Sequence, residues 1–146
     1  MSSDQPVVLV VEDDLDLRRV YGLTFRLAGF RVEVCKTLSD AWAAFSQGRP
    51  RVVWLNPGSE NPGDKWTEFA LHVQNSPGPP VRVVVVTAST DPSIRSFCID
   101  NGLRYHWKPH SDYQDDVAVV VEEMEAASRP EPAGASEDGG PRDDQC

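Results

Sequence analysis

Long apolar runs are missing from this 146-residue chain; none approaches the roughly 20 residues that cross a bilayer. The start, Met1-Ser2-Ser3-Asp4-Gln5-Pro6, has neither the basic residues nor the apolar stretch of an export signal. A cytoplasmic protein with no membrane association is therefore expected. Cysteine is scarce: Cys35, Cys98 and Cys146 show no metal-type or CxxC spacing, so reduced thiols are expected. Positive charge is in deficit, with 14 Lys and Arg against 23 Asp and Glu and a formal charge of −9. No basic cluster is longer than Arg18-Arg19. Both facts argue against nucleic acid or an anionic membrane as the main partner. No internal repeat is visible. His72, His106 and His110 have no Ser or Cys nucleophile beside them, so nothing points to an enzyme of the hydrolase or redox classes. Packing or surface roles are expected for these histidines.

What the chain does contain is an alternation of short β-rich runs with helical stretches, the pattern of a parallel sheet with crossover helices. Its length suits one domain, and a hydrophobic fraction of 40% is ordinary for a globular protein. Val7 to Val11 is apolar throughout, as a strand covered on both faces should be. A helix follows from Leu15 to Ala28, with Gly29 suited to its C-terminal cap. Arg31 to Cys35 alternates polar and apolar residues and reads as a half-exposed edge strand. Ser39 is a suitable N-cap for a second helix running through Phe45. Arg51 to Leu55 is a third strand, residues 56 to 64 are loop, and Lys65 to Gln74 is a third helix. Val81 to Val86 is a fourth strand. Asp91-Pro92 opens a fourth helix to about Asn101, with an N-cap followed by Pro at the first helical position. Leu103 to Trp107 is a fifth strand and Asp112 to Ala127 a fifth helix. Residues 1–127 thus form one α/β domain. From Ser128 to Cys146 there is no large apolar side chain, and this acidic segment is predicted to be a disordered tail. Of the four tryptophans, Trp42, Trp54 and Trp66 are expected in or near the core.

In an open parallel α/β sheet, chemistry gathers outside the carboxyl ends of the strands. The residues leaving those ends are Glu12-Asp13-Asp14, Asn56, Thr87-Ala88 and Lys108-Pro109. Taken alone, the three acids would favour the positive end of the following helix. Thr87 alone would be a strand-end hydroxyl and Lys108 a solvated lysine. Together they make a small polar site. Its acids repel unless a cation joins them, and the available cations are Mg²⁺ and the Lys108 ammonium.

This ordered set resembles the receiver domain of two-component response regulators, over about residues 6 to 127. The likeness rests on the apolar strand with acids and Leu17-Arg18, on Gly29-Phe30-Arg31-Val32, on Thr87-Ala88 and on Lys108-Pro109, with Tyr105 at the family's switch aromatic. It implies a (βα)5 flavodoxin-like fold with helices on both faces of a five-stranded parallel sheet. It would assign Mg²⁺ to Glu12, Asp13 and the backbone carbonyl of Gly58, phosphoryl contacts to Thr87, and pairing with the acceptor to Lys108. The acceptor position itself holds Asn56, whose neutral amide is a poor nucleophile and forms no ordinary acyl phosphate. The site also loses a negative charge, so no cofactor is required and at most a weak Mg²⁺ site is expected. Pro57-Gly58 follows Asn56 immediately and Asn61-Pro62-Gly63 arrives late, both departures from the family's loop.

The leading expectation is therefore a degenerate, single-domain receiver that signals through protein–protein contact without phosphorylation. No output domain is expected after Ala127. One alternative is a conventional phosphorelay receiver, either with another acceptor such as Asp13 or Asp14 or as an Asp-to-Asn variant. Another is a flavodoxin-like cofactor-binding module, which would need a Gly/Ser/Thr-rich loop where Glu12-Asp13-Asp14 stand. Tyr105 and Trp107 share strand parity and so face the same way. The resemblance implies that this fifth-strand face receives a signalling partner or a second copy of the chain. The competing expectation is that the last helix covers Trp107.

Overall fold

The β-branched runs become strands because only such residues pack well on a pleated surface covered from both sides. In the computed structural model, which describes residues 7–108 and 113–128, these are β1 (Val7–Val11), β2 (Arg31–Cys35), β3 (Val52–Leu55), β4 (Arg82–Thr87) and β5 (Arg104–Trp107). All neighbours pair in parallel, in the order β2-β1-β3-β4-β5. The three central strands carry the uninterrupted apolar runs and are buried almost throughout. The alternating β2 lies at one edge and the polar β5 at the other. This is the five-stranded parallel sheet expected from the sequence.

Five helices cover it: α1 (Leu15–Leu27), α2 (Leu38–Gln47), α3 (Trp66–Asn75), α4 (Pro92–Asn101) and α5 (Tyr113–Ser128). Because strand side chains alternate between faces, each strand feeds two cores. On one face Leu9, Val53, Leu55, Val83 and Val85 pack with α2, α3 and α4 through Leu38, Phe69, Val73 and Cys98. On the other, Val8, Val10, Trp54 and Val84 pack with α1 and α5 through Tyr21, Phe25, Val120 and Met124. Trp54 and Trp66 are buried, and Trp42 packs partly buried against the first core.

The helix caps show where local sequence was ambiguous. Asp14 and Asp91 cap α1 and α4, as their positions before Leu15 and Pro92 suggest. Gly29, at φ 103°, follows the end of α1, and Gly102, at φ 72°, ends α4; both adopt the left-handed conformation that favours glycine. For α2 the cap is Thr37 and not Ser39: the Thr37 hydroxyl accepts from Asp40 N–H at 3.2 Å. Starting the helix earlier buries Leu38 completely, and Ser39 instead donates its N–H to the Asn61 side chain at 3.1 Å. Within the expected loop after β3, Pro57–Ser59 forms a turn of 3₁₀ helix. The helix α5 runs through Ser128, whose hydroxyl is bonded to Met124 O and Arg51. The first six residues, Pro109 with the expected helix start at Asp112, and the segment after Ser128 lie outside the described residues. Among the described residues, no helix is long and apolar enough to cross a membrane.

Candidate functional site

Parallel pairing brings the strand ends together, and the sheet ladder continues one residue past them. Glu12 N–H donates to Cys35 O, Asn56 N–H to Val11 O and Lys108 N–H to Thr87 O, at 3.0, 3.0 and 2.8 Å. Each residue leaving a strand is thus fixed by its neighbour's last carbonyl.

Asn56 sits between the acids. Its amide Nδ2 donates to Glu12 Oε2 at 2.9 Å and to Asp13 Oδ1 at 3.3 Å. Its Oδ1 accepts from Gly58 N–H at 2.9 Å. Only this amide orientation serves all three partners, because the reverse would set oxygen against two carboxylates and NH₂ against an N–H. The Glu12 carboxyl is 3% exposed and also accepts from Asp14 N–H at 3.1 Å. Burial pushes Glu12 above its ordinary pKa and the Asp13 charge adds to this; the bonds from Asp14 and Asn56 oppose the shift. Asp13 and Asp14 are exposed, and Asp14 serves as the cap of α1 through a bond from Leu17 N–H at 3.0 Å. Gly58, the residue the receiver resemblance assigned to a metal through its carbonyl, turns its N–H toward Asn56 from within the 3₁₀ turn. Among the described residues, no group of three or more His, Cys, Asp or Glu is arranged to hold a metal ion.

Thr87 is buried at the end of β4, with its hydroxyl accepting from Ser89 N–H at 2.9 Å. A cleft of about 690 Å³ opens beside it, lined among others by Asn56, Gly58, Thr87, Ser89, Trp66 and Phe97.

Lys108 follows a different course from the one the resemblance implied. Its Nζ donates to Asp116 Oδ2 of α5 at 2.7 Å, away from Asn56. The other oxygen, Asp116 Oδ1, lies 3.0 Å from His106 Nε2. The Asp116 side chain is completely buried, and those of Lys108 and His106 are 10% and 18% exposed. Sequence reading missed Asp116, the partner of Lys108, and with it the contact to His106. One signal was available: Asp116 lies on the buried stripe of α5 with Val120 and Met124, where an unpaired acid is costly.

Tyr105 is half-buried against the core that also takes Ile94 and Phe97. Trp107, on the same side of β5, remains 48% exposed. The last helix does not cover it, because α5 packs on the opposite face with His106 and Arg104 turned toward it.

Solved structures with the same arrangement are numerous. A CheY-like response regulator receiver domain from Methanospirillum hungatei JF-1 superposes with a TM-score of 0.76 at 17% identity, covering 86% of this chain and 98% of that one. The receiver has this sheet order and these helices. This chain has the receiver fold. A signal receiver domain of an HD domain-containing protein from Pseudomonas fluorescens Pf-5 gives a TM-score of 0.73 at 15% identity, over 88% of this chain and 93% of that one. The chemotaxis protein CheY4 of Vibrio cholerae gives 0.65 at 20% identity, over 84% and 98%. No protein-family profile and no curated protein matches the sequence. At such identities the likeness is one of fold.

Proposed function

We propose that this chain is an atypical receiver that acts in signal transduction through protein–protein contact, independently of phosphorylation. The observation that carries this reading is Asn56 at the receiver's acceptor position, with its amide bonded to both Glu12 and Asp13. A neutral amide oxygen, already accepting from Gly58 N–H, lacks the charge that attack on phosphorus requires. The cluster is also a poor fit for Mg²⁺. That ion wants oxygen acceptors on all sides, whereas the group between the two carboxylates is a donor that already neutralises part of their repulsion. The partner surface in this reading is the β5 edge with Tyr105 and Trp107, where a half-exposed tryptophan supplies the large, amphipathic contact typical of interface anchors. It would receive a protein of the signalling pathway or a second copy of this chain.

Incubation of the intact chain with acetyl phosphate and Mg²⁺, followed by mass measurement, is expected to show no phosphoryl adduct. A stoichiometric, hydroxylamine-sensitive adduct on any carboxylate, Asp13 and Asp14 included, would overturn the proposal in favour of a conventional phosphorelay receiver.

A further inference from the structure

We infer that Asp116 is a built-in counter-ion for Lys108, which holds the lysine on α5 and keeps the β5–α5 face in one standing state whatever occupies the position of Asn56. This deepens the phosphorylation-independent reading and rests on it. A carboxylate with no exposed surface is tolerated only when it is paired and hydrogen-bonded. Both Asp116 oxygens are so used: Oδ2 by the Lys108 ammonium at 2.7 Å, Oδ1 by His106 Nε2 at 3.0 Å. The Lys108 ammonium supplies the charge opposite to the carboxylate, and the His106 ring occupies its second oxygen.

The geometry follows from strand parity. His106 and Lys108 stand two residues apart, so both reach toward α5, while Trp107 points to the other face. Aromatic rings close the cluster over. The Lys108 ammonium lies 4.6 Å from the Tyr113 ring centre and 5.8 Å from that of Tyr21, distances at which a ring face attracts a cation. Tyr21 is itself packed edge-on against Trp54 at 5.5 Å and stacked with Phe25 at 5.9 Å, so the wall around the lysine belongs to the core. The His106 ring rests on Trp54 at 5.6 Å. Asp116 is a positioning residue in this scheme: it acts on the site only through Lys108.

The chain contains three lysines, Lys36, Lys65 and Lys108, and the first two are exposed. Nitrogen-detected NMR of the full, uniformly labelled chain should therefore show one lysine ammonium protected from solvent exchange, assigned by its disappearance in Lys108→Arg. Asp116→Asn, which keeps the shape and removes the charge, is expected to abolish that protection. Asn56→Asp, which offers a competing carboxylate in the pocket, is expected to leave the protected resonance at its wild-type shift. No protected lysine in the wild type, or a resonance that moves or vanishes in Asn56→Asp, overturns the inference. So does persistence of wild-type protection in Asp116→Asn. If Asp116→Asn does not fold, the wild type and Asn56→Asp decide the matter alone. Phosphorylation of the wild type would remove the functional proposal and leave this lysine measurement to be read separately.

Discussion

Asn56 differs from an aspartate by one NH₂ in place of a charged oxygen, and that replacement reverses what the position offers its neighbours. An aspartate would add a third carboxylate beside Glu12 and Asp13 and require a cation to hold them together; the amide donates to both and partly relieves their repulsion. Asn56→Asp is accordingly expected to raise Mg²⁺ affinity and to lower thermal stability when Mg²⁺ is absent. Fluorescence titration and melting curves with and without EDTA would check this, and equal Mg²⁺ affinity in the two forms would show that the pocket is not held together as described. Cysteine gives a second residue-level expectation. Burial pushes the thiols of Cys35 and Cys98 up to about 11, each from an ordinary value of 9.0. Both should resist a thiol-specific reagent at neutral pH in the folded protein and react once it is unfolded. Since the folded state keeps its thiol protons longer, their contribution to stability is full below pH 9.0 and declines as pH rises toward about 11. A denaturation midpoint flat across that range would contradict the burial of these thiols.

At the scale of elements, the start of α2 shows how a cap is chosen. Thr37 and Ser39 are both acceptable N-caps by residue type, but only the frame beginning at Thr37 places Leu38 inside the core. Replacing Thr37 with Ala should cost about 1 kcal/mol in denaturant unfolding, and Ser39→Ala clearly less; the reverse order would move the helix start back to Ser39. The fifth strand poses the second question at this scale. Its odd residues lie on the α4 side and its even residues, Arg104 and His106, face α5, which leaves Trp107 at the rim, 48% exposed. Trp107→Ala is therefore expected to change unfolding free energy by less than about 1 kcal/mol and to weaken self-association or partner binding. Sedimentation and chemical denaturation of that variant separate the possibilities, since a core tryptophan would cost roughly 3 to 5 kcal/mol.

On the scale of the whole molecule, one sheet carries two cores, and its central strands belong to both. Phe25 and Phe69 lie fully buried on opposite faces. Each, replaced by Ala, should cost roughly 3 to 5 kcal/mol, and both variants should still unfold in a single transition by tryptophan fluorescence and by far-ultraviolet circular dichroism. Separated transitions would mean that the two layers melt independently. The far end of the sheet contributes to the same closure. Arg82 and Arg104, near the starts of their strands, both bond the nearly buried Glu123 of α5, at 2.7 and 3.1 Å. With Lys108 on Asp116 at the other end, α5 is pinned to β4 and β5 at both ends.

Much of this was legible in the order of residues. Apolar runs such as Val7 to Val11 permit little but a strand covered on both faces. Asp91-Pro92 opens a helix by local chemistry alone. Once the sheet is parallel, whatever follows each strand must meet at one end, so Glu12, Asp13, Asn56, Thr87 and Lys108 were legible as neighbours. Their orientations were not. Whether the Asn56 amide turns its NH₂ or its oxygen to the acids depends on where Gly58 N–H arrives, which the 3₁₀ turn decides. Which partner Lys108 takes depends on how α5 lies across β5, and that is set by Val120, Met124 and Tyr21 packing around Trp54. A flexible side chain between two acids of distant sequence goes to the one whose burial leaves it no other counter-charge, and only the tertiary structure decides that this acid is Asp116.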